Sequence, residues 1–235
     1  MEKHKKSGED PKIRSMRVRA WVRAVKLASG LGLADLEEAF SQRLGADASS
    51  RSCIWDKYQR GEVVPRSRLQ TKRGLSLVER VERRYPGTAK WLTSPLWRLA
   101  DMAPMEMSEI REVYEGLPYL FQSIFIAGPY DASEIFWRRP VDYEHVYTLL
   151  LRQRDLDALV TILAMVKEAE ITQDQGLHWL GVETARQCID CLRHDGILDT
   201  NLLGELSKYL GSHWEKARYF SVPGEEDDKK GDEQI

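Results

Sequence analysis

The 235-residue sequence predicts an all-α protein. Apolar residues recur three and four apart along most of the chain, which places them on one face of a 3.6-residue helix. No segment alternates apolar and polar residues for long enough to make a strand. Glycines, prolines and small hydroxyl residues stand where the helical patterns begin and end.

The elements follow in order. Val18, Trp21, Val22, Val25 and Leu27 make the stripe of a first helix, with Arg14, Arg17, Arg19, Arg23 and Lys26 between them, and Gly30 and Gly32 stop it. Leu36, Ala39 and Phe40 give a shorter second helix, closed near Gly45. Ser49 or Ser50 caps a third helix that ends at Gly61. Ser76 and Glu79 form a capping box that opens a fourth, running through Arg84 and halted before Pro86. Short helical pieces are expected over residues 89–92 and 95–101. Beyond a loop holding Met102, Pro104 and Met105, residues 109–114 read as helix, and 120–127 form an apolar run too short to type. Leu156, Leu159, Ile162, Leu163 and Val166 mark the clearest helix of the second half. Leu177, Leu180, Ala185, Cys188, Ile189 and Leu192 mark the next, and Leu202, Leu203, Leu206, Tyr209 and Leu210 one more.

Composition bounds the function. Hydrophobic residues at 42% and charged residues at 31% describe a soluble globular chain. No apolar run approaches the roughly 18 residues needed to span a bilayer. The amino terminus carries lysines without an apolar stretch behind them, unlike a secretory signal. Three cysteines argue against a disulfide scaffold and for a reducing compartment, so the cytoplasm is the expected location. The net charge of −2 conceals a division: residues 1–100 hold 22 basic against 11 acidic side chains, and residues 101–235 hold 13 against 26. A half with that positive excess attracts polyanions, because each phosphate it neutralises releases condensed counterions. The same division also suits two halves that dock or self-associate through charge.

Tyr58, Gln59, Gly61 and Pro65 follow the order aromatic, polar, x, Gly, x, x, x, Pro. With the helices before it, the segment from Leu33 to Pro65 resembles the helix-turn-helix of the Cro/phage-repressor-like family, with Gln59 where that family usually has an acid. The resemblance implies a recognition helix over residues 50–60. Arg51 and Ser52 would then stand at its amino end near base edges, and Lys57 and Arg60 would hold phosphates. It also implies that Trp55 and Tyr58 pack this helix onto Trp21 and Phe40. Independently of the motif, Arg66, Arg68, Lys72 and Arg73 lie in a connector where side chains can reach a nucleic-acid backbone. Arg80, Arg83, Arg84 and Lys90 follow on or beside the fourth helix.

Other constellations carry less. Cys188 and Cys191 have Cys-x-x-Cys spacing, but a structural zinc needs a second pair of ligands, and Cys188 falls on an apolar stripe. Arg139 and His145 fit the Arg-x(4–6)-His spacing of HEPN-type ribonucleases, with Pro140 breaking the helix that motif requires. No catalytic residue, metal site or cofactor is assigned. The expected organisation is a disordered tail (1–12), a basic helix-turn-helix-like domain (13–101), an acidic helical domain (105–221) and a disordered acidic tail (222–235). The expected function is that of a cytoplasmic DNA-binding regulator of bacterial or phage type, whose acidic half self-associates or takes a protein partner. A protein–protein interaction module without nucleic-acid binding is the alternative, and a HEPN-like ribonuclease the third.

Overall fold

The computed structural model describes residues 9–40, 53–66, 74–101, 103–126, 139–194 and 200–216. These residues form helices joined by turns, with no strand among them, so the fold is all-α as the periodicity predicts. No helix among them is long and apolar enough to cross a membrane.

Helix α1 (Pro11–Ser29) is the centre of the amino-terminal half. Asp10 accepts the Lys12 amide at 2.7 Å and Pro11 occupies the first turn, so the helix begins inside the stretch expected to be tail. Gly30, at φ 68°, closes it by donating to the Lys26 carbonyl. Its buried side chains point to two sides, and it packs against α3 (Ile54–Gln59), α5 (Lys90–Thr93), α6 (Leu96–Ala100) and α12 (Thr200–Lys216). Helix α2 (Leu33–Phe40) lies on α3 and on α4 (Leu77–Arg84), whose capping box forms with both of its hydrogen bonds.

Helix α7 (Met107–Glu115) leads to α8 (Tyr119–Phe125), which resolves the untyped apolar run as a helix. Helix α9 (Tyr143–Gln153) is an addition to the sequence-based reading; Asp142 caps it by accepting the His145 amide at 3.2 Å. Helix α10 (Leu156–Thr172) is buried on every side from Ala158 to Glu170, and α6, α7, α9 and α11 (Gln175–His194) surround it. From Ala158 to Val166 the helix is uncharged all round, as suits an interior. The stripe read from the sequence is therefore only one of its faces.

The hydrophobic cluster runs from Ile13 to Leu210, on both sides of the loop that holds Ala103 and Pro104. Arg98 holds that loop to α7, donating to the Ala103 and Pro104 carbonyls and to Glu109. The buried Asp101 carboxylate accepts the amides of Asp10 and Ala103. Glu82 plays the same part in the turn after α4, accepting the Gly87 and Ala89 amides and the Thr88 hydroxyl at 2.6, 2.7 and 3.2 Å. Burial raises the Glu82 carboxyl, but these donors outweigh it and hold the group below the usual carboxylate range. Glu82→Ala should therefore cost about 1–3 kcal/mol of stability at pH 7 for the orphaned donors, read as a lower urea midpoint. Its effect should shrink as the pH falls through the carboxylate range, where the wild-type group itself protonates.

Candidate nucleic-acid interface

The side chains that place α3 are aromatic. Trp21 of α1 stacks on Trp55 with ring centroids 5.3 Å apart and planes 18° apart. Tyr58 meets both rings edge-on, at 5.8 and 5.9 Å, and Phe40 of α2 lies 6.1 Å from Trp55. Trp55 and Tyr58 are both buried, so α3 is seated on Trp21 and Phe40 as expected. That seating leaves Lys57, Gln59 and Arg60 exposed.

The end of α3 is a Schellman closure. Gly61 donates to the Tyr58 carbonyl at 2.9 Å, and Glu62 to that of Lys57 at 3.0 Å. Gly61 sits at φ 70°, and a Cβ placed there would fall 2.2 Å from Ser15 Oγ and 2.8 Å from the Ser15 carbonyl oxygen. The glycine thus does more than stop a helix: it lets the chain touch the backbone of α1. Pro65 is buried and Arg66 exposed just beyond it.

The amino end of α3 differs from expectation. Cys53 has φ 49°, so the helix starts at Ile54 and cannot run unbroken from residue 50. The buried Glu37 carboxylate accepts the Trp55 amide at 3.2 Å, and Asp56 lies in the same first turn. An anion is therefore already in place where a phosphate would otherwise be drawn. Burial raises the Tyr58 hydroxyl pKa and Glu37 adds to the shift, whereas Arg66 opposes it.

The predicted contact residues divide. Lys57 and Arg60, three residues apart on α3, are exposed, and so is Arg66 beyond the helix end, near enough to the Tyr58 hydroxyl to act on it. Arg60 is paired with Glu62 at 2.6 Å and must exchange that carboxylate for a phosphate. Arg51, Ser52, Arg68, Lys72 and Arg73 lie outside the described residues. In the second basic cluster, Arg80 is structural, donating to the Phe40 carbonyl at the end of α2 at 2.9 Å. Arg83, Arg84 and Lys90 are exposed, Arg84 lying over the Phe40 and Tyr85 rings. Arg19 leaves the basic face altogether, forming a bidentate pair with Glu205 of α12 at 2.6 and 2.9 Å.

Cys188 is fully buried and its thiol is pushed up to about 12 by burial, so it fills space as a small apolar side chain. Arg139 lies ahead of α9, its amide donating to the Phe125 carbonyl, while His145 is on the first turn of that helix. The two are not carried by one helix.

Sequence reasoning missed a buried charged cluster in the acidic half. Lys167 and Glu170 pair at 2.8 Å, and the Nε2 atoms of His178 and His213 stand 3.7 and 4.0 Å from the other Glu170 oxygen. Beside them Tyr114 donates to Glu168 at 2.7 Å. The signal was present: between Asp157 and Lys167 α10 has no charged residue and hence no solvent face. Burial lowers the His213 pKa, with Lys167 adding to the shift and Glu170 opposing it. Burial raises that of Glu170, but His178 and Lys167 outweigh it and the net shift is downward. Folding therefore favours neutral His213 and ionised Glu170. Stability should fall as pH drops below the ordinary histidine value of about 6.5 and again through the carboxylate range. Urea midpoints at pH 7.5, 6 and 5 should decline, and His213→Gln should flatten the first part of the decline.

Comparison of the chain with protein-family models, with curated proteins and with solved structures finds no match.

Proposed function

We propose that this protein is a cytoplasmic DNA-binding regulator whose amino-terminal half engages the duplex. The observation that carries the reading is the seating of α3: Trp55 and Tyr58 are buried against α1 and α2, while Lys57, Arg60 and the following Arg66 are turned outward. Three exposed cations within ten residues suit contact with a phosphate backbone. Arg68, Lys72 and Arg73 follow them in sequence, and Arg51 and Ser52 are the base-reading pair. With Glu37 and Asp56 at the amino end of α3, phosphate contacts supply most of the affinity.

The test separates the two roles by anisotropy on labelled duplexes. Lys57→Ala and Arg66→Ala should each weaken all sequences alike and reduce the salt slope by about one. Arg51→Ala with Ser52→Ala should narrow the gap between preferred and random sequences by about 1–3 kcal/mol. Unchanged affinity and salt slope in Lys57→Ala and Arg66→Ala would remove the proposed interface.

One observation favours a second reading for the acidic half. Tyr119, Leu120 and Trp179 are 83%, 59% and 70% exposed, large apolar side chains of a kind that anchors a protein partner or a second copy. Light scattering of the chain alone tests it: Trp179→Ala should reduce a concentration-dependent increase in mass.

A further inference from the structure

Helices α1 and α12 run antiparallel, tied at one end by Arg19 and Glu205 and at the other by Asp10 and Tyr209. Between the ties lies a cleft of about 540 Å³, within the roughly 300–1,000 Å³ of small-molecule sites. Met16 and Tyr209 give it a buried apolar floor. The Tyr209 hydroxyl is committed to Asp10 at 3.0 Å, so its contribution to the floor is the ring.

The rim is cationic. Lys12, Arg19 and Lys208 line it against the Glu205 carboxylate, with the Asp10 carboxylate at its end bonded to the Tyr209 hydroxyl and the Lys12 amide. Arg19 and Glu205 neutralise each other in their bidentate pair. Lys12 and Lys208 are exposed and form no ion pair among the described residues. Two ammonium groups above an apolar floor call for a ligand that carries both an anion and a hydrophobic body.

We propose that the α1–α12 cleft binds a small organic anion, a carboxylate held between Lys12 and Lys208 with its apolar body on Met16 and Tyr209. Binding in this cleft is independent of DNA binding, since none of the proposed DNA contacts lines it.

The test uses the full chain with ¹³C-methyl methionine, 2-naphthoate as the probe and neutral 2-naphthamide as its control. The Met16 resonance, identified by its loss in Met16→Leu, should shift saturably with 2-naphthoate. Lys12→Gln with Lys208→Gln should weaken binding about tenfold, the product of two exposed ion pairs. The amide should bind wild-type protein as weakly as the acid binds that double variant. An unmoved Met16 resonance, equal affinity for acid and amide, or an unweakened double variant would each overturn the proposal.

Discussion

Glu170→Ala should be among the most damaging single substitutions in the chain, costing about 3–5 kcal/mol at pH 7. Lys167 is 7% exposed and its ammonium is 2.8 Å from the Glu170 carboxylate. Removing the carboxylate strands that charge among α10, α11 and α12, with two histidines close by. Neutralising both partners is milder, because burying an ion pair gains little over an apolar pair of similar volume. Lys167→Met with Glu170→Leu should therefore recover most of the loss in urea melts. Equal losses in the single and double variants would mean that packing, not the stranded charge, sets the cost.

Gly61→Ala should cost about 3 kcal/mol. The left-handed conformation accounts for roughly 1–2 of that, and overlap with Ser15 for roughly 1–3. Because two of the three closest atoms are Ser15 backbone, no rotamer change relieves the clash. The damage should reach function as well as stability, since moving α3 off α1 displaces Lys57, Arg60 and Arg66 together. Gly30→Ala is the control: it shares the positive φ, but a Cβ there meets nothing within 4 Å. It should cost only the conformational part, and a thermal melt of the two variants compares them directly. A Gly61→Ala variant as stable as Gly30→Ala would show that the contact between α3 and α1 yields without cost.

The features legible in the sequence are those fixed by neighbours along the chain. The Ser76 capping box, the Gly30 and Gly61 stops and the aromatic face of α3 all depend on residues within about one or two turns of each other. What stayed hidden depends on distant partners. Glu37 caps α3 from 18 residues away, and Arg80 reaches the Phe40 carbonyl across 40. Neither leaves a local mark, so Arg80 reads as one more surface cation. Ser49 and Ser50 offer good caps in the sequence, whereas the positive φ of Cys53 that sets the start of α3 has no sequence signature. Helix α9 begins just beyond Pro140, and the Asp142 cap is the local signal for its start. The exposure of Lys57 and Arg60 is legible because Trp55 and Tyr58 fix the inner side of α3, whereas the pairing of Arg60 with Glu62 requires coordinates.

In the proposed function the exposed cations of the amino-terminal half hold a phosphate backbone. The most direct test is the affinity of the full chain for a random-sequence duplex as a function of salt. Six contacts, from Lys57, Arg60, Arg66, Arg68, Lys72 and Arg73, predict a loss of about a thousandfold between roughly 50 and 200 mM salt. Absence of binding at the low-salt end, or an affinity that does not change with salt, would contradict it.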